Sequence, residues 1–397
     1  MSRYYSYLNT AALLINQYSG KELFNLYLKN YFSANKKYGS KDRKQISHLC
    51  YCFFRLGKSL KEMKTEERLL AGLFLCSSDS NELLAYVKPE WNSKVFLTAK
   101  EKFEIIFSEA GGINTDSNLE SIFPWEKELS PEIDFNFFCS SFLIQPDLFL
   151  RLRPGMEMIV KQKLKQAAIE FTNLSESCIS LPNTSKVDTI INLDNEAVIQ
   201  DYSSQQVGSF LQMIKKNSPY KVWDCCAASG GKAILAIDIL ENIELTVSDV
   251  RENILFNLKK RFSAAGIKNY TSKVLNIGSE AFNYKDEFDL VIADVPCSGS
   301  GTWSRTPEQL IYFDEKKINE FSSLQKKIIK NVIPNLKAGG FLLYITCSVF
   351  KKENEEIVAF IQEELKQNLV AIKILEGFTK KADTMFVALL QKPLLSD

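Results

Sequence analysis

Two cysteines in this chain of 397 residues stand where a thiol can do chemistry rather than fill space. Cys297 follows an apolar run, DLVIA (289–293), inside the loop DVPCSGSGTWSRTPE (294–308). Cys347 follows a second run, FLLYI (341–345), inside TCSVFKKENEE (346–356). Each run reads as a buried strand, and each loop of small and polar residues leaves its carboxyl end. In a parallel α/β sheet those ends share one edge, so the two thiols can converge there. A thiol at such an edge is a candidate nucleophile, because covalent attack splits one difficult step into two easier ones. Cysteines that only pack a core lack these loop signals.

A third candidate feature lies in VWDCCAASGGKAILAIDIL (222–240). Cys226, Ala227, Ala228, Ser229, Gly230, Gly231 and Lys232 fall between a strand and a helix, where small residues let a ligand approach the backbone closely. GGKA is not the GK[ST] ending of a phosphate-binding loop, and GxGxxG is absent. Asp249, at the end of the following strand, is placed to accept from both ribose hydroxyls of an adenosine. The alternative makes the turn a packing device and Asp249 a helix N-cap.

Strand and helix signals alternate after Pro219, the pattern of a parallel α/β sheet. Strands are expected at Lys221–Cys225, Glu244–Ser248, Thr271–Leu275, Asp289–Ala293, Phe341–Thr346, Val370–Leu375 and Thr384–Leu390. Helices are expected at 231–241, 251–265, 316–333 and 352–366. Upstream, FLRLR (149–153), Cys178–Leu181 and Asp188–Leu193 read as strands around a helix at Met158–Phe171, a small α+β module. Residues 1–110 show helix-period apolar positions, with Asp42–Gly57 as one buried helix ended by its glycine. Residues 111–134 read as a connection. The expected domains are 1–135, 136–219 and 220–397.

Composition narrows the function. Hydrophobic residues are 45% and charged residues 24%, as in an ordinary globular protein. No apolar run is long enough to cross a bilayer, and no convincing signal peptide is present, so a cytoplasmic protein is expected. Nine scattered cysteines then imply reduced thiols. Cys50, Cys52 and His48 are neighbours, but no second cysteine pair has zinc-finger spacing, and no metal is expected. His48 is the sole histidine, which disfavours histidine-based catalysis. Residues 1–65 hold twelve Lys/Arg against Glu22, Asp42 and Glu62, a net +9, leaving about −8 for the remainder. That end is either a docking surface for an acidic polymer or a solubilising helical face.

The motifs DxCAAxGGK (224–232), DVPCSGSG (294–301), RTPE (305–308) and TCSVFKKENEE (346–356) together resemble the RsmB/Nop/Sun family of RNA cytosine-5 methyltransferases. AVIQDYSSQQVGSFL (197–211) resembles the segment leading into that family's catalytic domain. FLRLRP (149–154) is similar to the start of its small RNA-binding subdomain. DRKQISHLCYCFFRLG (42–57) resembles a helix of the NusB-like domain of bacterial, RsmB-like members. The resemblance implies a class I, Rossmann-like fold with a seven-stranded sheet, behind a helical NusB-like domain and a small α+β RNA-binding subdomain. It implies S-adenosylmethionine as cofactor, held by Cys226 to Lys232, Asp249, Asn276 and Asp294. It also implies Cys347 as the thiolate that adds to C6 of cytosine and Cys297 as the group that assists release. Asp294 would bond the base edge, and Lys232 would sit near base and cofactor. The implied partner is RNA, ribosomal by the NusB-like start, with no membrane and a monomeric enzyme.

Three positions depart from the family pattern: Ser229 replaces a proline, Asn276 an acid, and Ser304 the first of two arginines. They keep open an RNA-binding assembly factor that has lost activity. A methyltransferase for another base, such as uracil, also stays open, whereas methylating a protein side chain needs no cysteine pair.

Overall fold

The central strands of both sheets are runs of mostly buried apolar residues. The computed structural model describes residues 2–109, 118–216 and 219–394. Part of the expected connection, 111–117, lies outside them. By contacts the chain forms two compact units, 1–127 with 134–145 and 303–314, and 128–133 with 146–302 and 315–397.

The first unit is helical, with helices Arg3–Gln17, Phe24–Ala34, Ser40–Arg55, Thr65–Cys76 and Ala99–Glu109 as its longest. Ile46, Leu49, Cys50, Phe53 and Phe54 turn one face of Ser40–Arg55 into the core, as their helical spacing requires. Gly57 ends that helix region at φ 51°, and a Cβ there would meet the Ile122 carbonyl oxygen at 2.0 Å. The excursion 303–314 belongs here because Trp303 is buried against Phe123, Trp125 and Phe313. Arg55 fastens it with a hydrogen bond to the Ser304 carbonyl.

In the second unit, β1 (Leu148–Leu152), β2 (Thr172–Asn173), β3 (Cys178–Leu181) and β4 (Ala197–Ile199) form an antiparallel sheet in the order β2-β3-β1-β4. Helix Glu157–Gln166 packs Val160 and Leu164 onto it. That helix stops five residues short of the expected Phe171. Ala168 turns left-handed at φ 53° and the Ile169 N–H closes the end on the Leu164 carbonyl. Asp188–Leu193, expected as a strand, is a turn: the Ile190 and Ile191 N–H groups both donate to the Val187 carbonyl. The apolar residues Val187 and Ile191 face the core from that turn, and the strand falls later, at β4.

The second sheet has seven strands: β5 (Tyr220–Asp224), β6 (Ile243–Asp249), β7 (Tyr270–Val274), β8 (Phe288–Asp294), β9 (Leu336–Thr346), β10 (Asn368–Leu375) and β11 (Met385–Gln391). Their order is β10-β11-β9-β8-β5-β6-β7, parallel except for β11, which is antiparallel to both its neighbours. The order reverses between β5 and β8, so the loops after both strands open at a switch point, where such sheets bind ligands. Helices Gly231–Leu240, Glu252–Ala264 and Lys316–Val332 lie close to their expected spans. The last expected helix begins at Glu355 rather than 352, because the side chains of Glu353 and Asn354 are spent on the site below.

Asp238 fastens the small sheet to the large one, accepting from Arg151 and Arg153 of the β1 region, with Arg153 Nη2 at 2.6 Å. The carboxylate is 5% exposed, so its loss strands two guanidinium groups away from water. Asp238→Ala is expected to cost about 3–5 kcal/mol of unfolding free energy, read from urea titration; a loss below about 1 kcal/mol would show that solvent or other acceptors replace it.

Candidate active site

The loops after β8 and β9 begin side by side, since Asp294 pairs with Ile345 in the parallel ladder. From there they are laced together. Val295 N–H donates to the Ile345 carbonyl at 3.1 Å and Gly301 N–H to the Cys347 carbonyl at 2.9 Å. Only glycine fits at 301, because a Cβ would lie 2.0 Å from the Thr384 carbonyl oxygen. The hydroxyl of Ser298 stands 3.1 Å from those of both Ser300 and Ser348.

Glu353 binds both loops at once. Its carboxylate accepts from the Ser298 N–H at 2.8 Å, the Ser348 hydroxyl at 2.8 Å and Gln325 Nε2 at 3.1 Å. Ser298 follows Cys297 and Ser348 follows Cys347, so one buried carboxylate sets the residue after each cysteine. Burial raises the Glu353 carboxyl against the lowering effect of these bonds. Asn354 adds to the clamp, accepting from the Thr346 hydroxyl at 2.6 Å and donating to the Ser348 carbonyl.

The result is a thiol pair, with Cys297 Sγ 3.3 Å from Cys347 Sγ. The two sulfurs are not equivalent. Cys347 lines a cavity of ≈ 330 Å³ at the carboxyl edge of the sheet, and Cys297 does not. The hydrogen bond to Cys347, together with burial, pushes the Cys297 thiol well above the ordinary thiol value. Cys297 thus sits beside the sulfur that faces the cavity, with its thiolate form disfavoured.

Cys226, Ala227, Ala228, Ser229, Gly231, Lys232 and Asp294 line the same cavity. Lys232 Nζ lies 3.1 Å from Asp294 Oδ2 and donates to the Ser204 hydroxyl at 2.7 Å. Gly230 sits behind the turn at φ 85°, where a Cβ would meet Phe262 at 2.6 Å. Asp249 is set back from the cavity lining and accepts from the Ala228 N–H at 3.1 Å. Its remaining capacity goes to Arg251, through the backbone N–H and two guanidinium bonds of 2.9–3.2 Å. A carboxylate has about four acceptor positions, so those of Asp249 are all taken, two of them by an Arg251 side chain that is 57% exposed. Asn276 is exposed and outside the cavity lining.

Asp224 was missed as a site residue, although it opens the glycine-turn motif. It is fully buried, lines the cavity, and makes no hydrogen bond of good geometry among the described residues, with the Cys226 backbone and the Lys232 charge only partly favouring its ionised form. Burial, with the Asp294 charge adding to it, raises its carboxyl to about 8. A carboxylate so poorly satisfied beside a small-residue turn fits a ligand that carries a cationic nitrogen. Among the described residues no cluster of three or more His, Cys, Asp or Glu could hold a metal ion. No helix there is long and apolar enough to cross a membrane.

Residues 211–391 match the family model described as 16S rRNA methyltransferase RsmB/F. These residues, fewer than half of the chain, thus resemble the RsmB/F methyltransferase family. The chain is 27% identical over 232 residues to a probable ribosomal RNA small subunit methyltransferase B of Bacillus subtilis, covering 57% of this chain and 51% of that protein. It is 32% identical over 165 residues to ribosomal RNA small subunit methyltransferase B of Citrobacter koseri, covering 41% and 38%. The chain thus spans about half or less of the length of these relatives. Among solved structures, PH0851 aligns over 99% of both chains with a TM-score of 0.65 at 19% identity. NSun6 from Pyrococcus horikoshii, solved with SFG, aligns over 69% of this chain and 97% of its own with a TM-score of 0.58 at 14% identity. These structures share the fold. Family and fold are those of S-adenosylmethionine-dependent methyltransferases.

Asp224 makes stability depend on pH. Its folded value of about 8 lies above the ~3.9 of an unfolded aspartate. The folded state then binds more protons than the unfolded chain between those values, and stability is lost as pH rises through them. Asp224→Asn removes this titration, so the Tm advantage of the variant without cofactor should grow from pH 5 to pH 8. A Tm difference that does not change with pH would contradict the raised carboxyl.

Proposed function

We propose that this protein transfers a methyl group from S-adenosylmethionine to C5 of a cytosine in ribosomal RNA, through a covalent bond between Cys347 and C6. The observation that carries this reading is the unequal thiol pair at the cavity edge. C5 of cytosine is too weak a nucleophile unaided, and a thiolate on C6 supplies the missing electron density.

Bound in the cavity, the cofactor supplies an electrophilic methyl on its sulfonium sulfur. The turn at Cys226–Gly231 would hold it, with Asp224 facing its ammonium group and Asp249 its ribose once Arg251 swings aside. Cys347 attacks from the cavity wall. With Cys297 as the donor of the pair, its S–H would bond the Cys347 sulfur and lower the cost of the thiolate there. Attack forms the C6–S bond and makes C5 an enamine-like carbon, which takes the methyl. With Cys347 then a thioether, the contact that most raises the Cys297 thiol weakens, and Cys297 is freer to ionise. Cys297, once ionised, would take the C5 proton, and cleavage of the C6–S bond then returns the aromatic base and the Cys347 thiolate. Asp294 accepts from the base edge, and Lys232 holds Asp294 in place.

The base must leave its stack to enter such a cavity, which suits a loop or an opened helix of RNA. The relatives' names support a ribosomal substrate. Lys29, Lys36, Lys41 and Lys44 of the helical unit are exposed and suit phosphate contact.

Cys347→Ala is expected to lower methylation by about 10⁴-fold or more while still binding S-adenosylhomocysteine. Cys297→Ala is expected to accumulate an RNA–protein adduct that survives denaturing electrophoresis. Bisulfite sequencing of RNA from a deletion strain should lose one 5-methylcytosine. An adduct formed by Cys347→Ala, or loss of a methylated uridine instead, would overturn the reading.

A further inference from the structure

The turn that lines the cavity has an expensive backbone. Ala228 sits at φ 45° and Gly230 at φ 85°, so Ser229 lies between two left-handed residues, one of which has a side chain. An alanine held there costs energy and persists only when its surroundings over-determine it. On one side the Ala228 N–H is held by Asp249. On the other side stands Arg261, in the last turn of helix Glu252–Ala264, whose Phe262 and Leu258 also pack against Gly230.

Arg261 Nη1 donates to both the carbonyl and the hydroxyl oxygen of Ser229, at 3.1 and 3.0 Å. Its other nitrogens are fixed by Asp194, with Nη2 at 2.6 Å from Oδ1 and Nε at 3.0 Å from both oxygens. Asp194 is itself left-handed, at φ 66°, in the turn before β4. Arg153 Nη1 bonds its carbonyl at 3.0 Å, and its own N–H donates to Ala197. A continuous chain of charge-assisted bonds thus runs from the small sheet through Asp194 and Arg261 to Ser229. Planar, forked guanidinium geometry suits this double duty, since lysine has one nitrogen for two acceptors.

We propose that Arg261 is a positioning residue for the cofactor: held by Asp194, it fixes the Ala228–Gly230 turn through Ser229 in the conformation that accepts S-adenosylmethionine. The proposal rests on the assignment of this turn to the cofactor. Arg261 acts on affinity for the cofactor, not on the chemistry of the thiols, and the Ser229 hydroxyl is the atom through which part of that action passes. The Asp194–Arg261 pair makes the small sheet part of the cofactor site's support.

The test is calorimetric titration of the full chain with S-adenosylhomocysteine, with cofactor KM and kcat measured in parallel. Arg261→Ala is expected to weaken binding about tenfold. Ser229→Ala is expected to weaken it less, and the double variant no more than Arg261→Ala alone. Arg261→Lys and Asp194→Asn should fall between, which keeps the test alive if removing the whole side chain prevents folding. KM for the cofactor should rise while kcat at saturation stays within about twofold of the starting protein. A lowered Tm with unchanged affinity in the folded variants would make Arg261 merely structural and overturn the inference. Strictly additive losses would overturn the route through the Ser229 hydroxyl. No binding to the unsubstituted protein would instead overturn the cofactor assignment, and the inference with it.

Discussion

Glu353 is a buried carboxylate whose hydrogen-bond partners at the site are neutral, and the arrangement of the catalytic edge depends on it. A charge in that position is costly unless several donors converge on it. Here the donors come from the two cysteine loops and from Gln325, so satisfying Glu353 and aligning the loops are one event. Strand pairing between β8 and β9 brings the loops to the same place, but pairing alone fixes only their roots. The Glu353 bonds carry that order out to the sulfurs, 3.3 Å apart.

The same logic separates the two thiols. A sulfur that faces a cavity with Lys232 and Asp294 beside it is available for attack. A sulfur in contact with the first and outside the cavity lining has its thiolate form disfavoured. Both sulfurs are half-buried, so what distinguishes them is which one lines the cavity, without any difference in residue type. The cofactor side shows a comparable economy. Asp249 and Arg261 hold a strained turn from two directions, and Asp224 is left buried in the cavity wall without a hydrogen bond of good geometry.

The seven-stranded sheet was legible because most of its strands carry apolar runs set off by turn residues, and each lies within two residues of its expected span except β9, which begins at Leu336 rather than Phe341. The convergence of Cys297 and Cys347 followed from strand order for the same reason. What stayed hidden was whatever depends on side chains meeting across the fold. Asp188–Leu193 has strand-like composition, yet Val187 and Ile191 reach the core from a turn. Glu353 and Asn354 look like the first residues of a helix until their inward bonds are seen. Arg261 reads as one more cation on an amphipathic helix, and Asp224 as the last residue of a strand. Segment 303–314 follows directly on the Cys297 loop, but its tryptophan finds its apolar partners in the helical unit.

The central claim is that Cys347, which lines the cavity, is the nucleophile and Cys297 the neighbouring thiol that assists it. The most direct measurement is the rate at which each thiol of the native protein is alkylated by iodoacetamide, followed by peptide mass spectrometry between pH 6 and pH 9. Cys347 should react first at every pH, by roughly an order of magnitude or more, because alkylation follows thiolate fraction and access. Faster alkylation of Cys297 would contradict the assignment of roles.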